Sequence, residues 1–455
     1  MTRVLFSAAA LGASCLNASA GETVIRLNVR PMAAPVPALK YQLLPELSEL
    51  NPGNAAQNYL KCFMEQRRFF YGKEAVADRA RYLAMTLSEL PAEQLRTYGG
   101  SALKQADWAA RLDTVDWQNL QQIQTAGIGI ERWEPGPLQV LAAALQVRFR
   151  GEVAGKHFDD AVRTAKTMFA LSRHLGEHPS AIANMVGLWV AHLSLSTLEE
   201  MIQQPGCPNL YWALTDLPCP LVDLRKGVQG ERTLMAAELR VIRDDIPMTE
   251  AEMETFVSRL FGTLSFAREQ TGRAPQNMRK GLQGRLKDSE KVRAARRRLI
   301  DAGCSEALVN RLPPMQVILL DDKREYEVCR DERMKLLALP LWEIDRLAEE
   351  QTAPRDGLFV ELLPDIIKLR REQGELERQI ALLRHVEAIR LYAANHNGQL
   401  PANLAEVRLP LPIDPVAGDP FGFTAEGKTA HLSSNASVGE PRVASTVHYE
   451  VTLQK

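Results

Sequence analysis

Leu138-Gln139-Val140-Leu141-Ala142-Ala143-Ala144-Leu145, followed by Gly155-Lys156-His157-Phe158-Asp159-Asp160-Ala161, is the stretch whose reading decides the fold. The first run has the apolar, Ala- and Leu-rich character of a helix, and the Gly155 segment turns the chain into a second one. Small residues recur after the turn at Ala161, Ala165 and Ala170, where they let two antiparallel helices approach closely. Pro135-Gly136-Pro137 resets the chain ahead of the pair. Upstream, Lys73 to Leu90 reads as a helix stopped by Pro91, and Asn51-Pro52-Gly53-Asn54 as a turn and N-cap for a helix opening at Ala55. Downstream, Pro179 to Leu198 carries no Asp, Glu, Lys or Arg. Asn184, His192, Ser194, Ser196 and Thr197 are nonetheless scattered round it and Glu199-Glu200 follow directly, so it reads as a helix buried among helices rather than a membrane span. A Pro- and aromatic-rich segment spans Pro205 to Asp223. Helices return from Gly230, with Thr249 capping a later one.

The Gly155 turn resembles that of a tetratricopeptide unit, but one copy is visible and no 34-residue period follows. The expected fold is therefore mainly α: stacked helical hairpins, tetratricopeptide-like in part, with a small C-terminal module of one long helix plus an antiparallel β-sheet. Pro364 to about His396 supplies the long helix, with Ile366, Leu369, Leu376, Ile380 and Leu383 at three- and four-residue steps and Asn397-Gly398 ending it. Glu426-Gly427-Lys428 then joins two short strands, and alternation from Val443 to Leu453 gives a third. The domain plan that follows is a signal peptide at 1–20, an extended linker at 21–37 carrying one short strand at Thr23 to Val29, an α-helical domain at 38–355, and the helix-plus-sheet module at 356–455.

With 455 residues, 55 Lys plus Arg against 56 Asp plus Glu, and a net charge of −1, the chain is neither a globally basic nucleic-acid binder nor an acidic disordered tail. Hydrophobic residues at 45% and charged ones at 24% are the proportions of an ordinary globular protein. Arg3, the apolar or small run from Val4 to Leu16, and Ala18-Ser19-Ala20 before Gly21 have the three parts of a cleavable export signal. The rival reading makes Cys15 a lipidated residue, but Leu11 stands one position too far upstream of it for that pattern. Export implies a periplasmic or extracellular location. It leaves Cys62, Cys207, Cys219, Cys304 and Cys329, an odd number, in an oxidising compartment. A Cys207–Cys219 disulfide is one reading of this set and buried thiols in a large core the favoured other.

One motif matches literally. His174-Leu175-Gly176-Glu177-His178 satisfies H-x-x-E-H, in which two histidines hold zinc and the Glu acts as base. That chemistry requires an unbroken helix, whereas Gly176 lies inside the pentad and Pro179 follows it, the signature of a helix ending. The alternative is two histidines at a helix C-terminus, where a positive charge is favoured. No CxxC pair, G-x-S-x-G elbow, P-loop or G-x-G-x-x-G is present. Asp414 and Asp419 bracket a turn that reads as an Asx turn before a calcium site, and His431 and His448 fall where two strands bring them across a sheet. From Arg273 to Arg298 ten basic residues face Asp288 and Glu290, a local charge of about +8. Such a run can attract phosphates or anionic lipid headgroups, but no aromatic interleaves it as stacking on single-stranded nucleic acid wants, and it reads as a solvated helix face.

Leu39-Lys40-Tyr41-Gln42-Leu43-Leu44-Pro45, Asn51-Pro52-Gly53-Asn54-Ala55-Ala56, Pro208-Asn209-Leu210-Tyr211-Trp212-Ala213-Leu214 and Leu312-Pro313-Pro314-Met315-Gln316-Val317 resemble stretches of uncharacterised exported helical proteins of planctomycete bacteria, from about Ala38 to the C-terminus. That resemblance implies fold and export and no activity. The tail separately resembles the C-terminal region of type II secretion pseudopilins, through Ala388-Ile389-Arg390-Leu391-Tyr392, Gly398-Gln399-Leu400-Pro401, Leu404, and Asp414-Pro415 to Pro420-Phe421. Pseudopilins continue that helix from an apolar N-terminus, and here it lies deep in the chain, so the likeness implies a packing unit. The expected function is an exported, non-catalytic helical scaffold serving a protein partner or the cell envelope, with no cofactor, no nucleic acid and no transmembrane helix in the mature chain. The alternatives are a zinc-dependent hydrolase using His174, Glu177 and His178, and a membrane-attached envelope protein.

Overall fold

A computed structural model of the protein describes residues 23–129, 136–271, 276–350, 357–434 and 447–454. The expected export signal at 1–20, Pro135 at the chain reset, Arg273 and the first residues of the expected third strand lie outside them. In chain order the elements are β1 (Thr23–Val29), β2 (Asn51–Asn54), α1 (Ala55–Glu65), α2 (Arg67–Tyr71), α3 (Lys73–Ala84), α4 (Ala92–Leu95), α5 (Gly100–Ala109), β3 (Leu112–Thr114), α6 (Leu120–Ala126), α7 (Gly136–Ala154), α8 (Phe158–Gly176), α9 (Ala181–Ile202) and α10 (Tyr211–Thr215). They continue with α11 (Arg225–Leu239), α12 (Glu250–Thr271), α13 (Gln276–Lys287), α14 (Ser289–Asp301), α15 (Glu306–Arg311), α16 (Pro314–Met334), α17 (Leu341–Glu350), α18 (Ile366–Asn395), β4 (Gly422–Glu426), β5 (Thr429–Ser433) and β6 (Val447–Leu453). The chain is mainly helical, with a small sheet whose strands β4, β5 and β6 are antiparallel.

The α7–α8 hairpin turns where the sequence places it, by a different residue. His157 N–H donates to Glu152 O (2.8 Å) and Lys156 N–H to Val153 O (2.9 Å), the paired bonds of a Schellman ending. The left-handed position of that motif is Lys156, at φ 60°, not Gly155. Ala161, Ala165 and Ala170 are all buried against the neighbouring helices, and at Gly187 of α9 an added Cβ would stand 2.9 Å from Ser172 O, so α9 closes directly on α8. α9 is long and apolar enough to cross a membrane by length and composition, but 67% of its most apolar window is buried within the protein. Several of its polar groups find partners there: Asn184 Nδ2 donates to Leu175 O, Gly176 O and His178 O, and Ser194 and Thr197 bond backwards to their own helix.

Two helix boundaries differ from expectation for tertiary reasons. α3 ends at Ala84 rather than Leu90, because Arg150 of α7 takes the carbonyls of Tyr82 (2.8 Å), Leu83 (3.1 Å) and Met85 (2.6 Å), and Thr86 with Glu89 opens a fresh capped turn. α11 begins at Arg225, before Gly227 and Gly230, which let it press on the α8–α9 connection: a Cβ at Gly230 would lie 2.1 Å from Pro179 O.

The sheet order is β1-β6-β5-β4, with β1 parallel to β6 in the register Ile25↔Tyr449, Leu27↔Val451 and Val29↔Leu453. Thr23–Val29 is the strand expected there, and its place is the edge of the C-terminal sheet rather than a linker. Leu27, Val29, Ala430, Leu432, Tyr449, Val451 and Leu453 form the buried face. The largest core joins that face to α7, α8, α9 and α18, so one continuous core crosses the boundaries drawn near residues 37 and 355. A second core lies among α1, α5, α7, α8 and α9, and a third among α11, α12, α14 and α16 with residues 358–363.

Candidate functional site

The H-x-x-E-H pentad sits where α8 stops. Gly176 is the last helical residue and Glu177 its C-cap, so His178 lies beyond the regular face that a zinc helix needs. His174 Nδ1 is hydrogen-bonded to the Tyr59 hydroxyl of α1 at 3.0 Å, while Trp117 Nε1 donates to His174 O at 3.1 Å. His178 accepts at Nε2 from Asn119 Nδ2 (3.0 Å) and packs its ring on Trp117. Glu177 points outward and pairs with Lys226 at 3.2 Å. The three side chains thus go to three different partners and share no ligand space, which removes the basis of the zinc alternative at His174, Glu177 and His178. Among the described residues no group of three or more His, Cys, Asp or Glu side chains is placed to hold a metal ion. Nor are these histidines charges set against a helix dipole. Burial lowers the pKa of His174 to about 3, helped by neighbouring Arg173, and that of His178 to about 4, helped by Lys226. His174 and His178 are neutral plugs that tie the end of α8 to α1 and to the 117–119 loop, while Glu177 stays outside with Lys226.

Asp414 is buried and fully engaged: its carboxylate accepts from Arg378 Nε (3.1 Å), Ser434 Oγ (2.5 Å), Val416 N–H (2.8 Å) and Ala417 N–H (3.3 Å). It is an Asx turn locked by an arginine, and Asp419 returns only its backbone carbonyl, to Asp414 N–H at 2.8 Å. His431 stands opposite Glu450 and His448 opposite Ser433, so the two histidines are diagonal neighbours rather than a facing pair. No disulfide joins Cys207, buried, to Cys219, exposed.

The charges with the most internal partners are ones the sequence reading passed over. Arg148 forks onto Asp107 (2.7 and 2.9 Å) and donates to Thr164 (3.0 Å), which in turn donates to Glu152 (2.7 Å). Burial lifts the Glu152 carboxyl to about 7, against the pull of Arg148. Arg150 forks onto Glu200 at 2.7 and 2.8 Å. Tyr449 and Gln379 both donate to Glu199 Oε1, and Gln379 Oε1 meets His192 Nδ1 at 2.9 Å, a buried relay across β6, α9 and α18. The available signal was Arg148, Arg150 and Glu152 at alternate positions inside an apolar helix, where they cannot all face water.

Two open grooves mark the surface. One, of about 680 Å³, lies between the 397–402 loop and the β4–β5 turn, beside Lys428 and Gln454. The other, of about 540 Å³, lies over Arg150 and Glu200 beside residues 83–88. Neither holds the histidine pentad. The basic stretch is split. Arg285 forks onto buried Asp322 (2.6 and 2.5 Å), Arg298 onto Asp321 (2.5 to 3.1 Å), and Arg296 caps the carbonyls of Val309 and Leu312. Arg279, Lys280, Lys287, Lys291 and Arg297 remain exposed on α13 and α14. No protein-family model, no curated protein and no solved structure matches the chain.

Proposed function

We propose that the protein is a non-catalytic helical scaffold that works at the cell envelope by presenting a surface to a partner. One observation supports this reading above the others: the sorting of its charges. Arg148, Arg150, Arg378 and Arg390 are buried and each is tied to an acid within the chain, whereas Arg279, Lys280, Lys287, Lys291 and Arg297 of α13 and α14 are exposed. Arginines locked into internal forks hold a frame, since their donors are already spent on acids of the same chain. The envelope placement rests on the export signal and on the likeness to exported helical proteins.

Metal content and hydrolysis test the reading. The purified chain from residue 21 should carry sub-stoichiometric zinc and turn over neither peptide nor ester substrates, and His174→Ala and His178→Gln should change its melting temperature without changing either readout. One zinc per chain, lost in His174→Ala while the circular dichroism of the fold persists, would refute it.

A further inference from the structure

The exposed cations of α13 and α14 make a basic surface on which two acids of the same helices, Glu290 and Asp301, are also exposed. Asp322 is 1% exposed at its side chain and holds Arg285, Asp321 is 13% exposed and holds Arg298, and Asp288 spends its carboxylate capping α14, accepting from Glu290 N–H (3.0 Å) and Lys291 N–H (3.3 Å). Glu290, outward, is paired with Arg293. What remains uncompensated is Arg279, Lys280, Lys287, Lys291 and Arg297, all exposed and none with an ion-pair partner among the described residues. With twelve and thirteen residues the two helices extend about 18 and 20 Å. Their apolar sides are already committed, Leu282, Ala295 and Leu299 lying in the third core.

We infer that this face docks the protein peripherally on an anionic bilayer, by charge alone and without insertion. The inference rests on the scaffold reading and names the surface that scaffold serves. Three features select a bilayer over other polyanions. No aromatic side chain stands between the cations to stack a base, so single-stranded nucleic acid finds no platform. No uncompensated arginine is held in a buried fork shaped for one carboxylate, as recognition of a folded acidic protein wants; the preorganised arginines, Arg285 and Arg298, are already satisfied. Long, mobile side chains spread over two helices suit headgroups that diffuse laterally to meet them. With Leu282 and Leu299 turned into the core, the pair shows no apolar stripe to bury in lipid among the described residues, so binding should be reversible and salt-sensitive.

The test is co-sedimentation of the purified chain from residue 21 with vesicles of phosphatidylcholine containing phosphatidylglycerol, against phosphatidylcholine alone. Each basic side chain near such a surface is worth about fivefold in partitioning, so Lys280→Gln/Lys287→Gln/Arg297→Gln should weaken binding on the order of a hundredfold. Lys61→Gln/Arg67→Gln/Lys104→Gln removes the same charge from exposed sites on α1, α2 and α5 and should leave binding nearly unchanged. Raising salt from about 0.1 M to about 1 M, which shrinks the screening length from about 10 Å to about 3 Å, should release the protein. Melting curves of both variants check that the fold is intact. Absence of pelleting with anionic vesicles at low salt, equal loss in both triple variants, or tighter binding of RNA or polyglutamate than of the vesicles at the same ionic strength would overturn the inference. None of these outcomes touches the scaffold reading, which stoichiometric zinc and hydrolysis would defeat independently.

Discussion

Replacing Arg390 by Met tests the tightest clamp in the molecule. Arg390 and Glu387 are both 0% exposed. The guanidinium donates to Arg30 O (3.0 Å), Cys207 O (2.9 Å), Pro208 O (3.4 Å) and Glu387 Oε1 (2.7 Å), while Glu387 also accepts from Leu210 N–H (2.9 Å). Arg390→Met keeps most of the apolar stem and removes every donor. It leaves a carboxylate in the core with one backbone N–H, and three carbonyls without their cation. Breaking a buried pair from one side costs about 3–5 kcal/mol, and the orphaned carbonyls add a fraction of about 1 kcal/mol each as water or relaxation reaches them. The expected loss is therefore about 4–6 kcal/mol, a large share of a typical stability of about 5–15 kcal/mol. Adding Glu387→Gln removes the stranded charge and should recover about 2 kcal/mol, so the double-mutant cycle must show strong coupling. Urea unfolding followed by circular dichroism and by fluorescence of Trp212, which packs on Tyr211 in the adjoining short helix, reads both quantities. A loss below about 1 kcal/mol for Arg390→Met, or a coupling energy near zero, would show that the fork is not what holds the 205–210 segment and the N-terminal strand to α18.

Other consequences can be measured in the same way. Lys156→Gly should raise stability by about 1 kcal/mol, because Lys156 occupies the left-handed C′ position of the α8 entry turn at φ 60°; an unchanged melting temperature would contradict it. His178 and His385, each 1% exposed, have pKa values lowered to about 4 by burial, so the unfolded chain binds their protons first. The stability they contribute is complete above about pH 6.5 and is lost as pH falls from there towards about 4, up to about 3 kcal/mol each. His385→Gln should flatten unfolding free energy against pH in that window, and an unaltered slope would mean the ring is hydrated.

Much of the architecture is legible because it is local. The α18 helix is written in its three- and four-residue apolar steps and stops at Asn397-Gly398, both left-handed, and the β4–β5 turn is announced by Glu426-Gly427-Lys428. The end of α8 is likewise legible from Gly176 and Pro179, which break the continuous helix that a zinc pentad requires. Illegible features are those that a distant partner decides. Nothing in Thr23–Val29 says that it pairs with residues 447–453 at the far end of the chain, and nothing in residues 82–85 says that Arg150 will take their carbonyls and end the helix early. The neutrality of His174 and His178 is of the same kind, since it is set by Tyr59, Trp117 and Asn119 closing over them.

These long-range decisions share one chemical solution. Helix ends and proline-rich turns leave backbone carbonyls without N–H donors. Arginine, with five donors in a planar fork, answers several at once: Arg79 serves Phe70 O, Arg150 three carbonyls after α3, Arg296 two around α15, and Arg390 three across the 205–210 segment and the N-terminal strand. Lysine cannot reproduce this, because its ammonium has no planar spread, so arginine-to-lysine changes at these positions should behave as losses. Loops fixed in this way cannot close over a substrate without breaking buried forks. The exposed cations of α13 and α14, which no such fork holds, remain able to reorganise on contact with another surface.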